Sequence, residues 1–264
     1  MNAPLFLGLF LGGAVLVAAV LLRAIRRGGF DQDAFPSPAR RGLAIGFLFL
    51  VLLVCVVAPF STGLAGRTPQ PSNVSPASAF ALHAVFLVFL TVYYLLAGGG
   101  RVLDFLKLRT DRPGRLMLAG IPIAAFAWAA SLAGIVALEL VLGLFSRGAS
   151  GRSTVSPIIP WIVSLPLTFK VGIVLSAMVF EEAFFRSFLQ PRIGAVGSTL
   201  FFTLAHGVYG EPMMLLGILI LSSILAVAFE IYKNALPVIV AHGAFDAFEI
   251  FVLIPFALKF VGAA

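Results

Sequence analysis

The chain has 264 residues, of which 61% are hydrophobic and only 11% charged, and its mean hydropathy is +1.09. Soluble domains carry about 25% charged residues, so an ordinary soluble fold is excluded and an all-α, polytopic membrane protein is predicted. The net charge of +7 would point to nucleic acid in a soluble protein. Here the basic residues cluster in alternate loops, which argues against nucleic acid and makes the lipid bilayer the first partner.

Apolar runs near the ~20 residues that cross a bilayer fall at 4–22, 42–60, 79–98, 117–145, 167–189, 194–210, 213–232 and 235–258, predicting about eight transmembrane helices. The first run has no basic flank before it and no clear cleavage site after it, so it reads as a retained helix rather than a signal peptide. Cys55 is the sole cysteine and reads as a core thiol, which leaves neither a disulfide framework nor a thiolate metal cluster. The Pro-, Ser- and Gly-rich stretch 61–78 reads as an external, mobile connection. The mixed-charge stretch 98–113 reads as a solvated loop on the opposite side. His83 and Glu139 are isolated polar residues in spans, each read as a helix-to-helix hydrogen-bonding group or an interfacial residue. Pro157, Pro160 and Pro166 around Trp161 predict an interfacial or re-entrant approach to the fifth span.

Arg23, Arg26, Arg27, Arg40, Arg41, Arg101, Lys107, Arg109, Arg112, Arg115, Arg186, Arg192 and Lys233 fall on one side. Arg67, Arg147, Arg152 and Lys259 fall on the other, with Lys170 inside a span. The positive-inside rule then places both termini outside and the large basic loops in the cytoplasm, the membrane being the cytoplasmic (inner) one if the source is bacterial.

The fifth run carries Glu181, Glu182 and Arg186 within six residues. Each ionised group near the bilayer centre costs about 2.5–3.5 kcal/mol on insertion scales, so such a cluster calls for pairing, a wet cavity or chemistry. On a helix, Glu182 and Arg186 stand one turn apart and can pair, whereas Glu181 points about 100° away and remains available. Farther on, the sixth run holds Phe202 and His206. The eighth holds His242 and Asp246, again one turn apart. Glu230 reads as a solvated helix end beside Lys233; Glu249 lies within one turn of Asp246 and is left unassigned. Counted from the cytoplasmic ends of their spans, Glu181, His242 and Asp246 lie about 12, 9 and 15 Å deep, whereas His206 lies about 20 Å deep and fits less well.

Hydrolysis within a membrane needs a water beside a general base and donors for the developing oxyanion. Glu181 can take the proton from water, His206 can position that water or shuttle its proton, and His242 can donate to the oxyanion. Three other readings stay open on the residues alone. One is a polar network that only fixes helix packing; another is a proton-coupled transporter, for which no internal repeat is found. The third is a zinc hydrolase with two His and a Glu as ligands, for which no His-Glu-x-x-His motif is present.

Glu181-Glu182-x-x-x-Arg186, Phe202-x-x-x-His206 and His242-x-x-x-Asp246, in this order on successive apolar segments, resemble the three signature motifs of the CPBP family, also called Abi. That family includes CAAX prenyl endopeptidases and bacteriocin-processing or immunity proteins. The resemblance covers roughly residues 167–258. It implies an intramembrane protease of the glutamic type, without metal or other cofactor, acting on a membrane-embedded or lipidated protein or peptide near its terminus. Within that likeness Glu181 activates the water, with His206 assisting. His242 with Asp246 lines the oxyanion site, and Glu182, Arg186 and Phe202 support it. Many members have Asn where this chain has Asp246, which favours an orienting role for Asp246. A non-catalytic immunity or scaffold role is the alternative the same likeness allows. The expected organisation is one integral membrane domain, with N-terminal scaffold helices over 1–150 and a catalytic helical core over 151–264.

Overall fold

The computed structural model describes residues 3–31, 33–64, 75–145 and 158–261, and among these every regular element is helical. Long apolar runs bounded by Pro, Gly and charged residues form α1 (Ala3–Arg26), α2 (Pro38–Leu64), α3 (Ala81–Leu96) and α5 (Pro113–Phe145), with a single turn, α4 (Val102–Phe105), between the last two. The C-terminal part holds α6 (Ile158–Ser164), α7 (Leu167–Ser176), α8 (Gln190–Ile193), α9 (Ala195–Ala205), α10 (Pro212–Tyr232), α11 (Leu236–Phe248) and α12 (Ile254–Val261). Two π-helical stretches, Ala177–Glu181 and Ala183–Leu189, join α7 to α8, and a third, Glu249–Leu253, joins α11 to α12.

Among the described residues six helices, rather than the eight predicted, are long and apolar enough to cross a membrane: α1, α2, α3 with its preceding 3-10 turn, α5, α10 and the α11–α12 run. The protein is an integral membrane protein on this count. The two predicted spans that differ do so for physical reasons. The fifth is a continuous helical run, but Lys170, Glu181, Glu182, Arg186 and Arg192 make it too polar; the sixth, α9, has only 11 residues. Residues 158–164 form a helix too short to span, set off from α7 at Leu165 and Pro166. Most of the predicted loop 61–78 lies outside the described residues, and its end is already helical, a 3-10 turn over Pro76–Phe80 capped by the Ser75 hydroxyl. Arg186 and Arg192 are buried in the bundle, so neither acts as a loop charge; the topological asymmetry rests on the basic loops after α1 and α3.

Two apolar cores flank the segment from α7 to α8. The first joins Val17 and Leu21 of α1, Leu48 and Leu52 of α2, and Phe86, Phe89 and Tyr93 of α3 to Phe184, Phe185 and Phe188 of the second π-helical stretch. Rings interlock here: Phe86 stacks on Phe184 at 4.3 Å, and Tyr93 meets Phe188 edge-on at 4.5 Å. Such pairs add about 0.5–1.5 kcal/mol each beyond the area they bury. The second core joins α5, α10 and α11 through Ala124, Ala127, Leu225, Phe229, Val238 and Ala241.

A buried ionic clamp ties the N-terminal part to the end of the π-helical run. Arg192 donates to both oxygens of Asp33 (2.5 and 3.1 Å) and to the Phe188 carbonyl (2.5 Å), while Tyr93 donates its hydroxyl to Asp33 (2.7 Å). Forked pairing of this kind suits a guanidinium far better than an ammonium. The start of α11 is fixed separately. The Asn234 side chain caps Leu236 N–H and donates to the Arg109 carbonyl.

Backbone proximity sets the α5–α11 crossing. A Cβ on Gly120 would stand 2.7 Å from both the Pro237 carbonyl oxygen and Val240 Cβ. Gly120→Ala is therefore expected to destabilise the protein by about 1–3 kcal/mol through overpacking. Gly114→Ala, on the same helix with nothing within 4 Å, is the control. Thermal unfolding in detergent is the measurement, and equal effects at the two positions would contradict the crossing.

Candidate active site

Adjacent glutamates serve two different networks because they emerge from the helix in different directions. Glu181, 4% exposed, faces α3 and α9; Glu182, fully buried, faces α11. The wider i→i+5 register of a π-helix is rare and often marks functional sites, and here it occurs on both sides of Glu182.

Glu182 anchors the second network. Its Oε2 lies 3.3 Å from Arg186 Nε, the one-turn pair expected from spacing, and Arg186 is itself fully buried. The guanidinium continues to the Ser198 hydroxyl on α9 (3.3 Å) and the Ser222 hydroxyl on α10 (2.8 Å), and Ser198 donates to the Phe185 carbonyl (2.6 Å). Three helical segments, the π-helical run, α9 and α10, are thus tied through one cation, which also packs over the Phe202 ring at 5.2 Å. Glu182 Oε1 meets His242 Nδ1 at 2.9 Å, and His242 Nε2 meets Asp246 Oδ2 at 3.3 Å. Both nitrogens of His242 therefore face carboxylates, an arrangement that spacing showed only in half. Gly243 lets α11 approach that closely, since a Cβ there would run into Met178 of the first π-helical stretch.

Around Glu181 the two carboxylate oxygens have separate partners. Oε1 lies 3.0 Å from His83 Nε2, and Oε2 lies 3.7 Å from His206 Nε2. Nδ1 of His206 sits 2.8 Å from the Phe202 carbonyl, which can only accept, so that nitrogen carries a proton. Phe202 stacks on His206 at 4.7 Å and meets His242 edge-on at 5.7 Å, bracing both rings. His206 thus reaches Glu181 despite the depth mismatch counted from sequence. The reason is the shortness of α9: the chain turns sharply at Gly194 (φ +87°), the helix starts at Ala195, and His206 ends it about 16 Å along.

All seven residues singled out from sequence meet in one place: Glu181, Glu182, Arg186, Phe202, His206, His242 and Asp246. Sequence reasoning left His83 outside this cluster, as a helix-to-helix hydrogen-bonding or interfacial group; it does bond between helices, and its partner is Glu181. Its signal was present in α3, where His83 falls in phase with Phe86, Leu90 and Tyr93 on the buried face. Glu139 is exposed, Glu230 bonds Gln190 and Lys233 at the end of α10, and Cys55 is buried in the first core. Glu249, left unassigned from sequence, is reached by Trp128 of α5.

Side-chain exposure marks where the site opens. His206 is 17% and Asp246 22% exposed, against 6% for Glu181 and 3% for His242. The arrangement offers a carboxylate and an imidazole converging on one side, and an imidazole with a second carboxylate on the other. Among the described residues, no group of three or more His, Cys, Asp or Glu is placed to hold a metal ion. Neither the curated proteins nor the solved structures give a significant match to this chain. Residues 162–248, which contain both glutamates, His206, His242 and Asp246, match the family model described as Type II CAAX prenyl endopeptidase Rce1-like, the same likeness that the three motifs carry.

Proposed function

We propose that the protein is an intramembrane endopeptidase of the glutamic type that cleaves a prenylated or otherwise membrane-embedded protein or peptide near its C-terminus. The observation that carries this reading is the 3.7 Å separation between Glu181 Oε2 and His206 Nε2. That gap is too long for a direct hydrogen bond and fits a bridging water. With the His206 proton held on Nδ1 by Phe202, Nε2 presents a lone pair, so one water can donate a proton to each group. Its oxygen lone pairs then face outward for attack. Glu181 takes the proton as the water adds to the scissile carbonyl and returns it to the leaving amine.

His242 supplies the oxyanion side. Its Nδ1 is held by fully buried Glu182, whereas its Nε2 is held by the more exposed Asp246, at 3.3 Å. Substrate entering from the open side competes with Asp246 for that N–H, so Asp246 orients the ring and the imidazole stabilises the developing charge. Glu182, Arg186 and Phe202 hold both imidazoles in place. The same reading makes residues 1–264 one integral domain in a cytoplasmic membrane, with the N-terminal helices framing the site.

A metal reading needs donor lone pairs converging on one point. Here Phe202 occupies one nitrogen of His206, and His83 and His206 address opposite oxygens of the same carboxylate. The experiment is turnover of an internally quenched peptide with a farnesylated cysteine and three further residues, by the native chain in liposomes. Cleavage after the modified cysteine is expected, with much slower cleavage of the unprenylated peptide. Chelators are expected to leave the rate within about twofold, because no metal-bound water is used. Absence of cleavage of any prenylated peptide, or loss of activity restored by zinc, overturns the proposal.

A further inference from the structure

The imidazole of His83 lies outside the family-matched segment, on α3, yet it is buried (7% exposed) with both nitrogens engaged: Nε2 is 3.0 Å from Glu181 Oε1, and Nδ1 is 2.8 Å from the Ser176 hydroxyl. From this geometry we infer that His83 is a positioning residue for the reaction: it holds one oxygen of Glu181, leaves the other to face the water, and is itself aligned by Ser176. The inference rests on the reading of Glu181 as general base.

Hydrogen-bond inventory sets the direction of the chain. An ionised carboxylate only accepts, so His83 must carry its proton on Nε2 and donate to Oε1. In the neutral ring Nδ1 is then an acceptor, and the Ser176 hydroxyl, 3.1 Å from the Ile173 carbonyl in its own helix turn, donates to it instead. Ser176 and Glu181 lie on the same helical run, five residues apart. His83 bridges them from the neighbouring helix and so fixes the carboxylate against rotation. A free carboxylate would swing its two oxygens between His83 and His206; the bond to Oε1 assigns Oε2 to the reaction.

Packing makes His83 a fixed post. Phe86 and Phe89, on the same face of α3, lock onto Phe184 and Phe188 of the π-helical run. The helix that carries the ring therefore cannot shift away from Glu181 without breaking that aromatic interlock. No residue in 162–248 occupies this place, so the N-terminal half contributes to the chemistry as well as to the frame.

The test compares the native chain with His83→Leu, His83→Gln, Ser176→Ala and Glu181→Gln in liposomes, using the quenched farnesylated peptide. His83→Leu is expected to lower kcat about ten- to hundredfold, the worth of one hydrogen bond to a charged group, with KM changed less than about threefold. His83→Gln, whose amide N–H reaches near the position of Nε2, is expected to recover most of kcat. Ser176→Ala is expected to lower kcat only a few-fold, about the worth of one neutral hydrogen bond. If His83→Leu fails to fold, His83→Asn, whose shorter amide falls short of Glu181, takes its place with the same expected loss. Native kcat in a folded His83→Leu or His83→Asn protein, or no recovery in His83→Gln, overturns the inference while leaving Glu181 as base. Native kcat in Glu181→Gln overturns the base itself.

Discussion

Glu181→Gln is expected to lower kcat by about 10²- to 10⁴-fold, the range a general base supplies, with little change in KM or thermal unfolding. The substitution is nearly isosteric. The amide oxygen can still accept from His83 Nε2, so the ring and the aromatic interlock behind it stay in place. On the other side the amide nitrogen now faces His206 Nε2 where Glu181 Oε2 stood 3.7 Å away. It can donate but cannot take a proton from water, so positioning survives and activation does not. Single-turnover kinetics in liposomes, with unfolding followed on the same preparation, measure both quantities. Near-native turnover in a folded Glu181→Gln protein removes Glu181 from the role assigned to it.

Arg186→Ala is expected to act through folding. It leaves Glu182, fully buried, without its cation, and it frees Ser198 and Ser222 from the group that joins α9 and α10 to the π-helical run. Removing one partner of a buried ion pair costs about 3–5 kcal/mol, a large share of the stability of most domains. The expected result is a sharp fall in folded yield and unfolding temperature, with activity lost in proportion. Arg186→Met combined with Glu182→Gln is expected to recover part of the stability, since no buried charge is then unpaired. It does not recover full activity, because His242 loses the carboxylate that holds Nδ1. An unchanged unfolding temperature in Arg186→Ala contradicts the structural role of the pair.

Legibility in the sequence followed distance along the chain. Glu182 with Arg186 and His242 with Asp246 are one-turn pairs, and helical periodicity alone places such partners together. The order of the three motifs was likewise readable and carried the family resemblance. What escaped were contacts made by tertiary packing. His83 and Glu181 are 98 residues apart, and Arg192 and Asp33 are 159 apart; no periodicity links them. The span count missed for a related reason. Hydropathy was summed over α9 and the loop after it as if they formed one helix, whereas the chain turns at Gly194 and His206 and uses only 11 residues. The π-helical register also left no mark that a 3.6-residue pattern could detect.

The long-range bonds of Asp33 and His83 bear on how the chain is assembled at the ribosome. Both groups are made well before the partners that neutralise or accept from them. The third helix therefore enters the bilayer carrying an imidazole still waiting for residue 181, while Asp33, in the loop between α1 and α2, waits for residue 192. During that interval they must stay near water or within the insertion machinery, because bare polar groups in hydrocarbon are costly. The emergence of the Glu181 segment then closes both contacts, so that the step which assembles the buried glutamate–histidine cluster is also the step that releases the early helices into lipid.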